Sequence, residues 1–153
     1  MYKVGITGGI GSGKSYVCDM LRERGVAIYN SDMRAKQLMN SSSAIREALV
    51  ANFGEECYTS EGLNREFLAS VVFSDSERLK ALNGIVHPAV IADFNSWAEE
   101  QEGSYVVLES AILFEAGLQD RVDVVVSVLA PEALRVERAM ARDGASRESI
   151  EAR

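Results

Sequence analysis

The stretch that decides the fold of this chain is Gly8-Gly9-Ile10-Gly11-Ser12-Gly13-Lys14-Ser15. Four residues separate Gly8 from Gly13-Lys14-Ser15, which satisfies the Walker A pattern completely. Residues 2–7 are β-prone, and residues 14–24 carry an apolar stripe at helical spacing. The motif is therefore predicted to lie between a strand and a helix, which is the context it requires.

Each residue type in this loop suits the binding of a nucleotide phosphate. Glycines let the backbone curl so that successive N–H groups point at phosphate oxygens, and the helix N-terminus adds partial positive charge. Lys14 can reach the β- and γ-phosphates, and the Ser15 hydroxyl can ligate Mg²⁺. A glycine-rich turn without a ligand is the alternative, and the strand–loop–helix context counts against it. The predicted nucleotide-binding residues are Gly8, Gly9, Ile10, Gly11, Ser12, Gly13, Lys14, Ser15 and Tyr16.

Composition narrows the class of protein. The 153 residues are 47% hydrophobic and 25% charged, which is typical of one globular domain. The net charge of −7 argues against a broad basic face for nucleic acid. No apolar run approaches the ~20 residues of a membrane span, and the N-terminus lacks a secretory pattern. Cys18 and Cys57 form neither a disulfide framework nor a metal-ligand spacing, so we expect a cytoplasmic protein with neither nucleic-acid nor membrane partners.

The order of apolar patterns predicts an α/β layered domain. A short strand over 26–29 is followed by several helical pieces up to about residue 101, with Ser31/Asp32 as a cap and Pro88 opening a separate helix. Residues 105–108 and 122–129 are β-branched runs that suit buried parallel strands. Pro131 opens a last helix. The helical region is therefore predicted as an insertion between strands two and three.

Further stretches resemble the motifs of the dephospho-CoA kinase family, in the same order along the chain. Besides Gly5–Ser15, they are Ser31-Asp32, Gly62-Leu63-Asn64-Arg65-x-x-Leu68, Leu82-Asn83-x-Ile85-x-His87-Pro88, Glu109-Ser110-Ala111-Ile112-Leu113-Phe114-Glu115, and Arg138 with Arg142-Asp143-Gly144. The chain departs from the family pattern at Asn30, Tyr16, Glu109, Ala111 and Arg135.

The resemblance implies an enzyme that uses ATP and Mg²⁺ to phosphorylate the ribose 3′-hydroxyl of dephospho-CoA, the last step of coenzyme A synthesis. It implies a three-layer P-loop kinase fold, with a parallel sheet flanked by helices, in a single domain over residues 1–153. A helical acceptor-binding region is expected at about 32–101 and the start of a lid at about 138–153. Family members continue past Arg153, so the C-terminal part of the lid is expected to be missing.

The resemblance also implies roles for three residues of the helical region. Asp32 is expected to orient the acceptor hydroxyl and take its proton, although a plain helix N-cap is the alternative. Arg65 is the candidate for gripping an acceptor phosphate in bidentate geometry, against a solvated arginine on a helix face. His87, the single histidine, is expected to contact the acceptor, against a structural hydrogen-bonding role.

Three further residues complete the predicted site. Glu109 follows an apolar run in a Walker-B-like position, where it can hold Mg²⁺ through a water or simply end a strand at the surface. Arg138 and Arg142 are four residues apart and share a helix face, so they can close over the transferring phosphoryl group as lid arginines. Surface ion pairing with Glu137 and Asp143 is their alternative. Lys14, Asp32, Arg138 and Arg142 are thus the predicted catalytic residues.

Two other functions are compatible with the same sequence. One is a P-loop kinase for a different nucleotide or metabolite, and the other is a nucleotide-binding module without turnover. The arrangement of Asp32, Arg65 and His87 discriminates between these functions. Convergence of the three on one cleft would favour the kinase, because a binding module has no need of them, whereas scatter in space would refute the acceptor site. Oligomeric state is not determined by the sequence.

Overall fold

The structure is a computed structural model that describes residues 1–129 apart from Ile10, together with positions 134, 137, 140 and 141. Two short 3-10 helices cover Glu55–Cys57 and Leu118–Arg121. The other elements in the described ranges are β1 (Tyr2–Thr7), α1 (Lys14–Glu23), β2 (Ile28–Asn30), α2 (Ser31–Ser41), α3 (Ser43–Phe53), β3 (Tyr58–Thr59), β4 (Gly62–Leu63), α4 (Arg65–Val72), α5 (Ser76–Glu99), β5 (Tyr105–Glu109) and β6 (Val124–Ser127).

Four parallel strands form the sheet in the order β2-β5-β1-β6. The central strand β5 is buried along Val106, Val107 and Leu108, as expected for a parallel strand covered on both faces. Helix α1 packs on the sheet through Cys18, which clusters with Ile6 and Val107. The predicted parallel sheet flanked by helices, with a largely helical insertion between β2 and β5, is confirmed.

The chain divides into two compact units. One unit contains the sheet and consists of residues 1–30 and 98–153, and the other consists of residues 31–97. The boundaries of the second unit lie close to the helical region expected at about 32–101. That both units act as one kinase domain stays a prediction.

The second unit has its own apolar core, which is centred on α3. Ile45, Leu49 and Phe53 are spaced by four residues and line one face of the helix, where they pack with Cys57 and Leu68. Ser42 caps the N-terminus of α3, because its hydroxyl accepts a hydrogen bond of 3.3 Å from the Ile45 N–H.

Helix α5 runs through Pro88 without interruption, so the prediction of a separate helix opening at this proline is wrong. Val86, Val90, Phe94 and Ala98 are buried at four-residue spacing and form one continuous apolar stripe on both sides of the proline. A proline inside a helix costs about 3 kcal/mol, which burial of this stripe offsets. Among the described residues no helix, α5 included, is both long and apolar enough to cross a membrane.

Two local features of the second unit differ from the sequence prediction. Ser31 and Asp32 are the first two residues of α2 and not a cap that precedes it. The two-residue strands β3 and β4 pair as an antiparallel hairpin that the sequence does not reveal, because runs this short carry no period.

We expect the α3 core to dominate the stability of the second unit. Leu49 is fully buried, so Leu49→Ala leaves a cavity and should lower the free energy of unfolding by about 2–5 kcal/mol. Urea denaturation followed by circular dichroism measures this loss. Leu79→Ala, at a leucine that is 43% exposed, is the matched control and should change stability by less than about 0.5 kcal/mol. Equal losses in the two variants would contradict the assignment of the core.

Candidate active site

The phosphate loop depends on glycine at two positions. Gly13 has φ 100° and ψ 8°, a left-handed conformation that places it at the N-cap of α1 with no described side chain capping the helix. The first amides of α1 are therefore available to an anion. At Gly8, an added Cβ would meet the Ser12 hydroxyl and would lie 2.7 Å from the Val128 carbonyl oxygen, so the loop closes only around glycine.

A buried hydroxyl inside this loop has no partner in the part of the chain that the structure describes. Ser12 is 4% exposed, and its Oγ makes no hydrogen bond with a described residue. A buried hydroxyl without a partner is costly unless a ligand or water satisfies it. This observation fits a loop that is completed by phosphate oxygens.

Lys14 and Ser15 meet on one carboxylate at the end of β5. The Lys14 ammonium lies 3.0 Å from Glu109 Oε1, and the Ser15 hydroxyl donates to the same oxygen at 3.3 Å. Glu109 is 3% exposed and Lys14 is 13% exposed, so the ion pair is shielded from water. The alternative that Glu109 ends a strand at the surface is wrong.

The sheet register explains why this carboxylate lies at the loop. Glu109 is paired with Ile6, the residue before the last of β1, and with Asn30, the last residue of β2. The Ser110 N–H donates to the Ile6 carbonyl oxygen at 3.0 Å, which extends the pairing past Glu109. The carboxyl ends of parallel strands meet at one edge of the sheet, where ligands of such folds bind.

Cys18 lies beneath this cluster as a neutral thiol. The side chain is fully buried, and burial, the negative charge of Glu109 and a hydrogen bond to it raise the pKa of Cys18 from its ordinary value of 9.0 to about 12. Lys14 and Arg22 oppose the shift but do not cancel it. Cys18 therefore packs in the core, as its position on the helix suggests, and does not act as a nucleophile.

The three residues expected to bind the acceptor all belong to the second unit. Asp32 is exposed in the first turn of α2, and Arg65 is exposed as the first residue of α4. Asn64 caps α4, because its side-chain oxygen accepts from the Phe67 N–H at 3.2 Å. His87 is half-buried in α5, and burial lowers its pKa below 6.5, so the imidazole is neutral at pH 7.

Several predicted residues lie outside the described part of the chain: Ile10 in the loop, and Arg138 and Arg142 of the expected lid. The helix predicted from Pro131 and the lid itself fall there too, apart from positions 134, 137, 140 and 141. Tyr16 is described and is 71% exposed on the first turn of α1. The structure thus brings together Lys14, Ser15 and Glu109, while the roles of the others stay predictions.

Sequence reasoning missed three polar residues that hold the second unit together: Arg34, Asn40 and Asp93. Arg34 forms a bidentate ion pair with Asp93, and Asn40 bonds to the backbone of Leu63. Arg34 and Asn40 lie on α2 among apolar residues of the same helix. An arginine or asparagine in such a position usually indicates only a solvated helix face. Their partners are far away in sequence, so no local pattern identifies them.

Comparison with known proteins gives one consistent family. The family model described as dephospho-CoA kinase matches residues 2–153. The dephospho-CoA kinase of Porphyromonas gingivalis is 46% identical over 153 residues, which cover 100% of this chain and 76% of that protein. The dephospho-CoA kinase of Salinibacter ruber is 45% identical, with 100% of this chain and 79% of that protein covered.

Solved structures agree with this relationship. A Thermus thermophilus protein superposes with a TM-score of 0.87 at 41% identity, covering 99% of this chain and 78% of that one. The dephospho-CoA kinase from Campylobacter jejuni gives a TM-score of 0.68 at 22% identity, covering 98% of this chain and 77% of that one, and supports the fold.

We expect both cysteines to resist alkylation in the folded chain. Cys18 and Cys57 are fully buried, and burial raises the pKa of each thiol. At pH 8 the thiolate share of Cys18 is on the order of 10⁻⁴ for a pKa of about 12. Iodoacetamide labelling followed by mass spectrometry should show modification at least about 100-fold slower in buffer than in urea.

The same pKa shift predicts a pH dependence of stability. Because folding raises the pKa of Cys18, the unfolded thiol ionises first, and stability should fall as the pH rises from 9.0 towards about 12. Cys18→Ala should flatten this fall. Rapid labelling of native Cys18 at pH 8 would contradict the assigned environment.

Proposed function

The chain belongs to the dephospho-CoA kinase family, and we propose that its phosphate loop and its helical unit carry out the two halves of that reaction. The reaction is ATP-dependent phosphorylation of the ribose 3′-hydroxyl of dephospho-CoA, which gives coenzyme A and ADP. The assignment of the ATP-binding half rests on one observation: Lys14 and Ser15 both contact the buried Glu109 carboxylate. This arrangement supports a phosphate site in which the lysine and the hydroxyl of the loop lie beside one carboxylate.

Binding of ATP requires Lys14 to exchange partners. In the described geometry its ammonium pairs with Glu109, and we propose that it turns to the β- and γ-phosphates, where it neutralises the charge that develops during transfer. The Ser12 hydroxyl and the first amides of α1 then donate to phosphate oxygens. These donors hold the nucleotide in one orientation. Such positioning, together with charge stabilisation, is the main contribution of a protein to phosphoryl transfer.

The residues around Ser15 fit a magnesium ion. Mg²⁺ prefers oxygen ligands and usually combines one or two protein groups with substrate phosphates and waters. The Ser15 hydroxyl and the Glu109 carboxylate are such oxygens, 3.3 Å apart, and we propose that Ser15 ligates the ion and that Glu109 holds it through a water. When bound, Mg²⁺ supplies positive charge at the β- and γ-phosphates.

The acceptor half of the reaction is assigned to Asp32, Arg65 and His87. The Asp32 carboxylate accepts the proton of the 3′-hydroxyl while the oxygen–phosphorus bond forms and the bond from the γ-phosphorus to ADP breaks. Exposure on the first turn of α2 leaves this carboxylate accessible to a hydroxyl. Arg65 grips a phosphate of the acceptor with its planar fork of donors.

His87 contributes to the acceptor site as a neutral hydrogen-bonding group. Burial lowers its pKa, so the neutral imidazole predominates at pH 7 and is a poor partner for a phosphate anion. We therefore assign phosphate binding to Arg65 and a directional hydrogen bond to His87. Arg138 and Arg142 are proposed as lid arginines over the phosphoryl group, with surface pairing to Glu137 and Asp143 as the rival role.

The setting of the reaction follows from the family. We propose that the enzyme acts in the cytoplasm, with dephospho-CoA as its small-molecule partner. A kinase for another metabolite, or a module without turnover, is not favoured, because the family match extends over residues 2–153.

Replacement of Asp32 should separate chemistry from nucleotide binding. Asp32→Asn removes the proton acceptor and should lower kcat by about 10²- to 10⁴-fold, while the Kd for ATP stays unchanged. The product is quantified by mass spectrometry of dephospho-CoA incubated with the chain and Mg-ATP, as the gain of one phosphate. Lys14→Ala should abolish that gain.

The matched control for Asp32 is Glu47→Gln, an exposed carboxylate of the same unit. It should leave kcat and KM unaffected. A wild-type rate in Asp32→Asn would remove this carboxylate from the mechanism, without affecting the assignment of the phosphate loop.

Replacement of Glu109 should change the metal requirement. Glu109→Gln keeps the shape of the side chain but loses its charge, so the Mg²⁺ concentration for half-maximal activity should rise about 10- to 100-fold. A Mg²⁺ titration of the steady-state rate at saturating ATP measures this. Glu102→Gln, at an exposed glutamate before β5, is the control and should leave the titration unchanged. Equal Mg²⁺ dependence in both variants would refute the proposed role of Glu109.

A further inference from the structure

The three proposed acceptor residues lie on three different helices of the second unit. Asp32 belongs to α2, Arg65 to α4 and His87 to α5. Three groups on separate helices bind one ligand well only if the helices keep a fixed relative orientation.

We infer that Arg34 and Asn40, both on α2, are positioning residues for acceptor binding, because each makes a polar contact with another part of the second unit. Arg34 connects α2 with the helix that carries His87, and Asn40 connects α2 with the segment that leads into Arg65. The inference rests on the proposed acceptor roles of Asp32, Arg65 and His87. It adds two residues that are not expected to touch either substrate.

The Arg34 contact is a two-pronged ion pair. Its Nε donates to Asp93 Oδ2 at 2.9 Å, and its Nη2 donates to Asp93 Oδ1 at 2.8 Å. Its Nη1 also donates to Gln37 Oε1 at 3.1 Å, which steadies the guanidinium on its own helix. Two parallel hydrogen bonds between planar groups set orientation as well as distance, which a single contact cannot do.

This ion pair lies close to two of the acceptor residues along the chain. Arg34 is two residues after Asp32 on α2, and Asp93 is six residues after His87 on α5, a helical rise of about 9 Å. The pair is partly shielded from water, with Arg34 40% and Asp93 23% exposed. It therefore holds the N-terminal half of α2 to the C-terminal half of α5.

The Asn40 contact acts at the other end of α2. Its Nδ2 donates to the Lys36 carbonyl oxygen at 2.9 Å, and its Oδ1 accepts from the Leu63 N–H at 2.8 Å. Both polar groups of the amide are thus engaged, which holds the side chain in one orientation. Leu63 is followed directly by the Asn64 cap and by Arg65, so the contact places the start of α4.

Gly62 shows how closely the hairpin approaches Asn40. Its φ is +119°, and an added Cβ would lie 2.6 Å from Asn40 Oδ1. Only glycine combines this backbone conformation with such a close approach. The contact is therefore a specific fit between the end of α2 and strand β4.

A positioning role predicts a change in acceptor kinetics that a purely stabilising contact would not produce. Arg34→Lys keeps the charge but loses the fork, and should raise the KM for dephospho-CoA about tenfold while the KM for ATP changes less than twofold. Asp93→Asn and Asn40→Ala should behave in the same way. Steady-state kinetics with each substrate varied in turn, together with thermal unfolding of each variant, make the measurement.

The matched control is Arg78→Lys, which alters an exposed ion pair with Asp75 in the same unit. It should leave both KM values unchanged. Lowered unfolding midpoints with both KM values and kcat unchanged in Arg34→Lys and Asp93→Asn would overturn the inference and make the pair a stabilising contact only. Equal increases in the two KM values would also overturn it, because the effect would then not be specific to the acceptor.

One further variant separates this inference from the proposed function. Arg65→Ala tests an acceptor contact directly and should raise the KM for dephospho-CoA more than Arg34→Lys does. If Arg65→Ala raises this KM and the α2 variants do not, only the positioning role is refuted. If Arg65→Ala, Asp32→Asn and the α2 variants all match the wild type, the proposed acceptor roles themselves are refuted.

Discussion

A carboxylate that is almost fully buried must have partners, and this constraint organises the phosphate half of the molecule. Glu109 is 3% exposed at the end of β5, where an unpaired negative charge would be very costly. Lys14 and Ser15 satisfy it, and they reach it because α1 begins directly after the glycine loop. The pairing of β5 with both β1 and β2 holds the carboxylate in register with that loop. The neutral thiol of Cys18 beneath it adds no competing charge.

The two units solve different problems with different interactions. The phosphate loop uses backbone amides, a lysine and short glycine turns, because phosphate groups are alike in every nucleotide. The helical unit has an apolar core of its own around α3, and polar contacts connect its helices at the surface of that core. On the proposed assignment, the acceptor is recognised by side chains on three helices, so the accuracy of helix placement matters there more than in the loop.

Sequence patterns predict the parallel sheet and the phosphate loop well, but they predict the helix boundaries and the long-range polar contacts of the second unit poorly, for identifiable reasons. The Walker A spacing and the β-branched runs are local signals, so β1, α1 and the parallel sheet follow from them. Pro88 misleads the sequence prediction of a helix boundary. The buried stripe from Val86 to Ala98 keeps α5 helical through this proline, and that burial is a tertiary effect. The partnership of Glu109 with Lys14 spans 95 residues, and that of Arg34 with Asp93 spans 59. Such pairs have no local pattern, and only the folded chain shows them.

The helical unit is one uninterrupted segment of the chain, residues 31–97, inserted between β2 and β5. These two strands are hydrogen-bonded neighbours, with Asn30 opposite Glu109. An insertion that leaves and rejoins a sheet at adjacent strands can diverge in sequence without disturbing the strands that hold the phosphate loop. On the proposed assignment of the acceptor residues, the acceptor half of the chain can therefore change in sequence while the strands beside the phosphate loop are kept. For protein engineering, the same feature makes residues 31–97 one continuous segment that can be exchanged between relatives to test that assignment.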